Sequence, residues 1–203
     1  MKKYAVLHEP GDIVTLAGTR FVVLDVERRG SLPDSLFLLA LESVGASEFG
    51  SSNNYAESDL KKAVDKWLED MGKRGLDNAK LIPREIDLTT LDGSGCYGKL
   101  SVKAAPLTLD EAREYADIIP NAERWCWLAT GWSGPSKSDG DLALVVNSNG
   151  DWSNYYCSSS YGIRPALKIP SDLLLDSADK PDLSEVPTDT LLEEIRRRVV
   201  DKA

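Results

Sequence analysis

Residues 147–161 read Asn-Ser-Asn-Gly-Asp-Trp-Ser-Asn-Tyr-Tyr-Cys-Ser-Ser-Ser-Tyr, a run built almost wholly of Asn, Ser and aromatic side chains. Amides and hydroxyls adapt their hydrogen bonds to what they meet. Tyr and Trp offer broad, rigid contact area at low entropic cost, so the mixture suits recognition by many shallow contacts. The candidate contact residues here are Asn147, Asn149, Asp151, Trp152, Asn154, Tyr155, Tyr156, Ser158 and Tyr161. Trp132, Ser133 and Asp139 join them from the polar loop 131–140. A protein or a glycan is the ligand such a surface fits. The side of the ribbon facing away from the core should carry the contacts, and residue type alone leaves the parity open.

Bond-breaking chemistry is poorly supplied. His8 is the single histidine, so a Ser-His-Asp triad or a histidine-based metal site has little to draw on. Cys96, Cys126 and Cys157 are odd in number and widely spaced, giving neither a disulfide framework nor a CxxC pair. Free buried thiols are the ordinary outcome for such a set. A nucleophilic Cys126 or Cys157 would need a base beside it. Asp139-Gly-Asp141 and Asn149-Gly-Asp151 lack the regular oxygen spacing of a calcium loop and read as hairpin turns. Residues 93–98, Gly-Ser-Gly-Cys-Tyr-Gly, lack the Lys-Ser or Lys-Thr of a phosphate loop. Arg164, ahead of Pro165, leaves two uses open: a grip on a carboxylate, or a buried structural arginine paired with an acidic core residue. No catalytic residue, metal or cofactor is expected.

Charge narrows the partners. With 33 acidic and 24 basic residues the chain carries −9, the wrong sign for a nucleic-acid backbone. The longest apolar runs, such as 36–41, fall far short of the roughly 20 residues a membrane span needs. The N-terminal residues 1–10 hold no apolar stretch long enough for a signal peptide. The expected location is the cytoplasm as synthesised, with assembly onto a virion or cell surface as a further destination.

The elements that must hold the polar ribbon are legible in outline. Residues 12–16 and 20–26 alternate around Gly18 as a hairpin does. The run 36–41 suits a strand buried on both faces, and 45–54 a loop. Ser58 caps a helix whose apolar face is Leu60, Val64, Trp67, Leu68 and Met71, with Gly72 as its C-cap. The stretch 73–103 is irregular. Thr108 and Glu111 form a capping box opening a second helix, with Ala112, Tyr115, Ala116 and Ile119 inward and Pro120 as its stop. Residues 125–128 are a short aromatic strand, and 142–146 and 163–169 are further strands. Asn149-Gly150 marks the hairpin between the last segments.

Two segments result. Residues 1–170 form the domain, and 171–203 an acidic linker followed by an amphipathic helix over 190–201. Its apolar stripe is Leu191, Leu192, Ile195 and Val199. A helix that short is marginal alone in water, so it docks on its own domain or joins copies into a homo-oligomer.

A resemblance now carries the fold. Phe21-Val-Val-Leu24, Glu57-Ser-Asp-Leu-Lys61, Leu107-Thr-Leu-Asp-Glu-Ala112, Trp125-Cys-Trp-Leu128, Val145-Val-Asn-Ser-Asn-Gly150 and Gly162-Ile-Arg-Pro-Ala-Leu167 occur in that order. The series over 11–169 resembles a domain-of-unknown-function family of gut bacteria and their phages, which ends in G-V-R-P-A-L. Ala129-Thr130 departs from the Arg-Ser usual there. The resemblance implies an α+β, C-type-lectin-like domain of the kind shared with formylglycine-generating enzymes: two helices packed on antiparallel sheets, plus the C-terminal helix. It also implies a likeness to the variable proteins of diversity-generating retroelements, in which adenine scrambling turns Asn codons into Tyr, Ser, Asp, Cys or Gly. The block 147–161 has that composition. Trp152 cannot arise that way, so it would be fixed scaffold. The expected function is therefore a non-catalytic, ligand-binding protein. A copper oxidase using Cys126 and Cys157, or a structural piece of a phage or surface assembly, stand as alternatives.

Overall fold

A computed structural model describes residues 2–4, 8–29, 32–147 and 149–177. The chain is an α+β protein of mostly antiparallel sheets with two helices among the described residues. Its first hairpin joins β2 (Ile13–Leu16) to β3 (Thr19–Arg29), with Leu16 opposite Thr19. Ala17 and Gly18 close it at φ of 47° and 76°. Two consecutive left-handed residues are what a tight hairpin turn with the right twist demands.

The run read as a doubly buried strand is β4 (Leu32–Ala40), and residues 35–40 are all buried. It lies between β3 and β13 (Ala166–Pro170), with Leu167 opposite Leu38. One edge is extended by β14 (Leu174–Ser177) and β1 (Lys2–Tyr4), the other by β8 (Ala104–Ala105). The order is β1-β14-β2-β3-β4-β13-β8, antiparallel throughout.

A second sheet of five strands runs β11 (Trp152–Tyr156), β10 (Leu142–Val146), β9 (Cys126–Gly131), β12 (Ser160–Gly162) and β5 (Ala46–Glu48). Among the described residues only β12 and β9 pair in parallel. β6 (Arg84–Asp87) and β7 (Lys99–Val102) make a separate hairpin inside the stretch read as irregular.

Strand alternation divides the core in two. Phe21, Leu38, Trp127 and Val145 enter one cluster with Leu60, Val64 and Met71 of α1 (Asp59–Lys73). Val22, Leu39, Leu128 and Leu144 enter the other with Leu109 and Ala112 of α2 (Leu109–Glu114). Both sheets therefore serve both clusters, because successive side chains on a strand point to opposite faces.

Both helices start where expected: Ser58 Oγ accepts from Lys61 N at 2.9 Å, and the Thr108–Glu111 capping box is complete. Their ends differ from expectation. α1 runs past Gly72 to Lys73, and the left-handed residue after it is Gly75 at φ 103°. α2 stops at Glu114 and continues as turns, which leaves Ala116 exposed rather than inward. Residues 45–54 are interrupted by β5. Past Pro170 the chain returns to the sheet as β14, so 174–177 is not linker. The expected helix over 190–201 lies outside the described residues. Among the described residues no helix is long and apolar enough to cross a membrane.

Candidate recognition surface

β10 and β11 pair from Leu142↔Tyr156 to Val146↔Trp152, and among the described residues β11 has no neighbour on its outer side. The turn joining them uses up two of the expected contacts. Asn147 Oδ1 accepts the backbone N–H groups of Asn149 and Asp151, both at 2.8 Å, and its Nδ2 donates to Asp151 Oδ2 at 3.1 Å. An Asn side chain that mimics a backbone turn in this way is spent on local geometry. Gly150, at φ 87°, supplies the left-handed step, and Asn149 stands exposed.

Register then settles the parity left open above. Directly opposed residues share a face, so Trp152, Asn154 and Tyr156 stand with Val146, Leu144 and Leu142. Ser153 and Tyr155 stand with Val145 and Ala143 on the other side. Tyr156 is 61% exposed and Trp152 40%, two of the three large hydrophobic side chains exposed among the described residues. Asn154 between them is half-buried.

The opposite face is an aromatic cluster. Tyr155 meets Trp125 at 5.4 Å and Tyr161 at 4.9 Å between ring centroids, and Tyr161 meets Trp127 edge-on at 5.0 Å. Burial, then the neighbouring Tyr155, pushes the Tyr161 hydroxyl above its usual pKa. Tyr155 and Tyr161 are therefore half-buried supports that still show an edge to solvent. Beside them a shallow groove of about 400 Å³ is bordered by Arg124, Trp125, Ser160 and Tyr161. Trp125 was not among the expected contacts. Its two-residue spacing from buried Trp127, which puts both rings on one face, was the available signal.

The remaining expected residues scatter. Trp132 is half-buried, packed against the second core cluster. Ser133 is 3% exposed, and its carbonyl accepts from Asn53 Nδ2 at 2.8 Å, so it offers little to a ligand. Asp139 and Ser158 are exposed, in the loops before β10 and after β11.

On the Trp152 side a cleft of about 100 Å³ opens between the hairpin and the α2 segment. Leu39, Leu107 and Leu128 line it with Val146 and Trp152, and Arg164 and Cys126 border it too. Cys126 and Cys157 are both buried. Burial pushes their thiols up to about 11 and about 12, so both are neutral at ordinary pH. Cys157 packs instead into the first core cluster. Cys96 is exposed. Comparison with family models, with curated proteins and with solved structures found no match.

Proposed function

We propose that the chain is a non-catalytic recognition module that binds a protein or a glycan through the outward face of β11. The observation that carries this is the pair Trp152 and Tyr156, exposed on one face of an uncharged edge strand with Asn154 between them. Edge strands are commonly blunted by charge or Pro to prevent association. Trp-Ser-Asn-Tyr-Tyr carries neither. Aromatic anchors with amide and hydroxyl neighbours give moderate affinity, which display in several copies raises.

Two mostly antiparallel sheets flanked by two helices, with the polar hairpin late in the chain, support a C-type-lectin-like reading of the fold. The composition of 147–161 supports membership of the variable proteins of diversity-generating retroelements, in a phage or its bacterial host. Trp152 suits the fixed scaffold position that its codon requires, since it borders the cleft.

The binding test presents the multimerised protein to glycan and surface-protein arrays beside the Tyr156→Ala and Asn154→Ala variants. Binding by the native protein, lost in both variants with unchanged unfolding temperatures, is the expected result. Bound ligands insensitive to both substitutions would overturn the reading. The lineage test is the neighbouring DNA: a reverse transcriptase and a near-copy of the segment encoding 147–161 are expected there, and their absence removes the retroelement claim.

A further inference from the structure

Arg84 and Arg164 are the two arginines buried among the described residues, each 5% exposed. Their surroundings differ. Arg84 pairs with Glu111, donates Nη2 to the carbonyls of Ala105 at 3.0 Å and Pro106 at 3.1 Å, and lies over the Phe37 ring. Its Nε has no partner, but its charge is met by a carboxylate. Arg164 donates Nε to Ala40 O at 3.0 Å and Nη1 to Pro120 O at 3.1 Å, and its Nη2 has no partner. Among the described residues no carboxylate lies within ion-pair distance of it. Glu42, the acid whose field reaches it, pairs with Arg20.

A guanidinium does not shed its proton to escape burial, so Arg164 stays charged there. Buried charges are as a rule met by a counter-charge. This one borders the cleft beside Trp152, whose other walls are mainly apolar. An apolar cavity with one convergent charge is the usual form of a small-ligand site.

We propose that this cleft binds a small monocarboxylate with a short apolar body, its carboxylate on Arg164 and its body against Leu107, Leu128 and the Trp152 ring. The cleft is too small for a bulky ligand. One free guanidinium nitrogen, Nη2 with its two N–H donors, matches a single carboxylate better than a dianionic phosphate, which would need donors from several groups to offset its desolvation. Nη2 is shut from solvent, so the carboxylate reaches it only with a local rearrangement of the cleft wall. The proposal stands apart from recognition by β11. Trp152 borders both surfaces, while Tyr156 does not line the cleft.

The test titrates the full chain with hexanoate and with hexanamide, its neutral isostere, following tryptophan fluorescence and heat. Ala116→Phe plugs the cleft from an exposed position without touching Arg164. Saturable hexanoate binding is expected, weakened about tenfold or more in hexanamide through loss of the charge-assisted bond. The same loss is expected in Ala116→Phe at an unchanged unfolding temperature. Tyr156→Ala should bind hexanoate as the native protein does, even if it abolishes array binding. Equal affinity for acid and amide, no hexanoate binding at all, or full binding by Ala116→Phe would each overturn the proposal.

Discussion

The Tyr97 hydroxyl donates to Asn53 Oδ1 at 2.6 Å, and that contact aims a buried amide at two backbone carbonyls. Asn53 Nδ2 donates to Ser133 O at 2.8 Å and to Leu142 O at 3.0 Å. Asn53 N donates to Gly140 O at 3.3 Å. One residue outside the recognition segment thus clamps both ends of the loop that leads into β10. Asn53→Ala should cost about 2–3 kcal/mol, because the buried Ser133 carbonyl and the Tyr97 hydroxyl lose their partner, while Leu142 O keeps the Trp132 N–H. The loop 133–141 should then become protease-sensitive before the rest of the chain, as limited proteolysis with mass spectrometry would show. Gly131→Ala should give the same phenotype, since its new Cβ would stand 2.9 Å from the Asn53 side chain. Stability unchanged in both variants would mean the clamp is not what holds the loop.

Tyr156 and Tyr161 separate surface from support. Tyr156→Ala should leave the free energy of urea unfolding within about 0.5 kcal/mol of the native value, as exposed substitutions usually do. Tyr161→Ala removes a ring packed on Trp127 and Tyr155 and should cost about 2–3 kcal/mol. If the two cost the same, the division of β11 and β12 into an outward face and an aromatic support is mistaken.

Much of this layout was legible because local rules and global packing agreed. The capping box at Thr108, the Ser58 cap and the turn at Gly18 are decided within a few residues, and the structure has all three. What stayed hidden depends on distant partners. Ser133 looked like a contact because its neighbours are polar, but Asn53, eighty positions away, draws it inside. Gly72 looked like a helix end, yet the chain needed another turn before Gly75. Ala116 should have faced inward on a continued helix, but α2 unwinds after Glu114. The parity of β11 followed only from its register with β10. The state of Arg164 followed only from which carbonyls surround it: burial was foreseeable, the missing acid was not.

The thiols should react in two classes. Cys96 is exposed and should consume one equivalent of an aromatic disulfide reagent quickly at pH 8, with Cys126 and Cys157 reacting only after unfolding. Their ionisation also shapes stability in alkali. Unfolded thiols ionise near pH ~8.5, whereas burial holds these to about 11 and about 12. The stabilisation is fully present below the unfolded pKa and is lost as pH rises toward the folded values. The slope reaches about 1.4 kcal/mol per pH unit for each thiol. Tyr55, raised by burial as well, acts in the same direction at still higher pH. The Cys126→Ser and Cys157→Ser double variant should therefore show a flatter decline of stability between pH 9 and 11. An equally steep decline would place both thiols in contact with water.

Glu111 does two jobs on one side chain. Its Oε2 accepts the Thr108 N–H at 2.8 Å, closing the capping box, while Oε1 pairs with Arg84. Glu111→Gln keeps an acceptor for Thr108 but removes the charge that Arg84 faces. Glu111→Ala removes both. Breaking a buried pair costs about 3–5 kcal/mol because the surviving charge is left without compensation, so Glu111→Ala should fall in that range. Glu111→Gln should lose less, about 1–3 kcal/mol, since its one amide oxygen still closes the cap on Thr108 and Arg84 keeps the Ala105 and Pro106 carbonyls. Added salt should change neither value much, because Arg84 is shielded from solvent. Urea unfolding of the two variants at low and high salt gives the ranking. A Glu111→Ala cost under about 1 kcal/mol would show that the Ala105 and Pro106 carbonyls and the Phe37 ring satisfy Arg84 unaided. A buried arginine without a carboxylate would then be ordinary in this fold, and the case for a ligand on Arg164 would weaken with it.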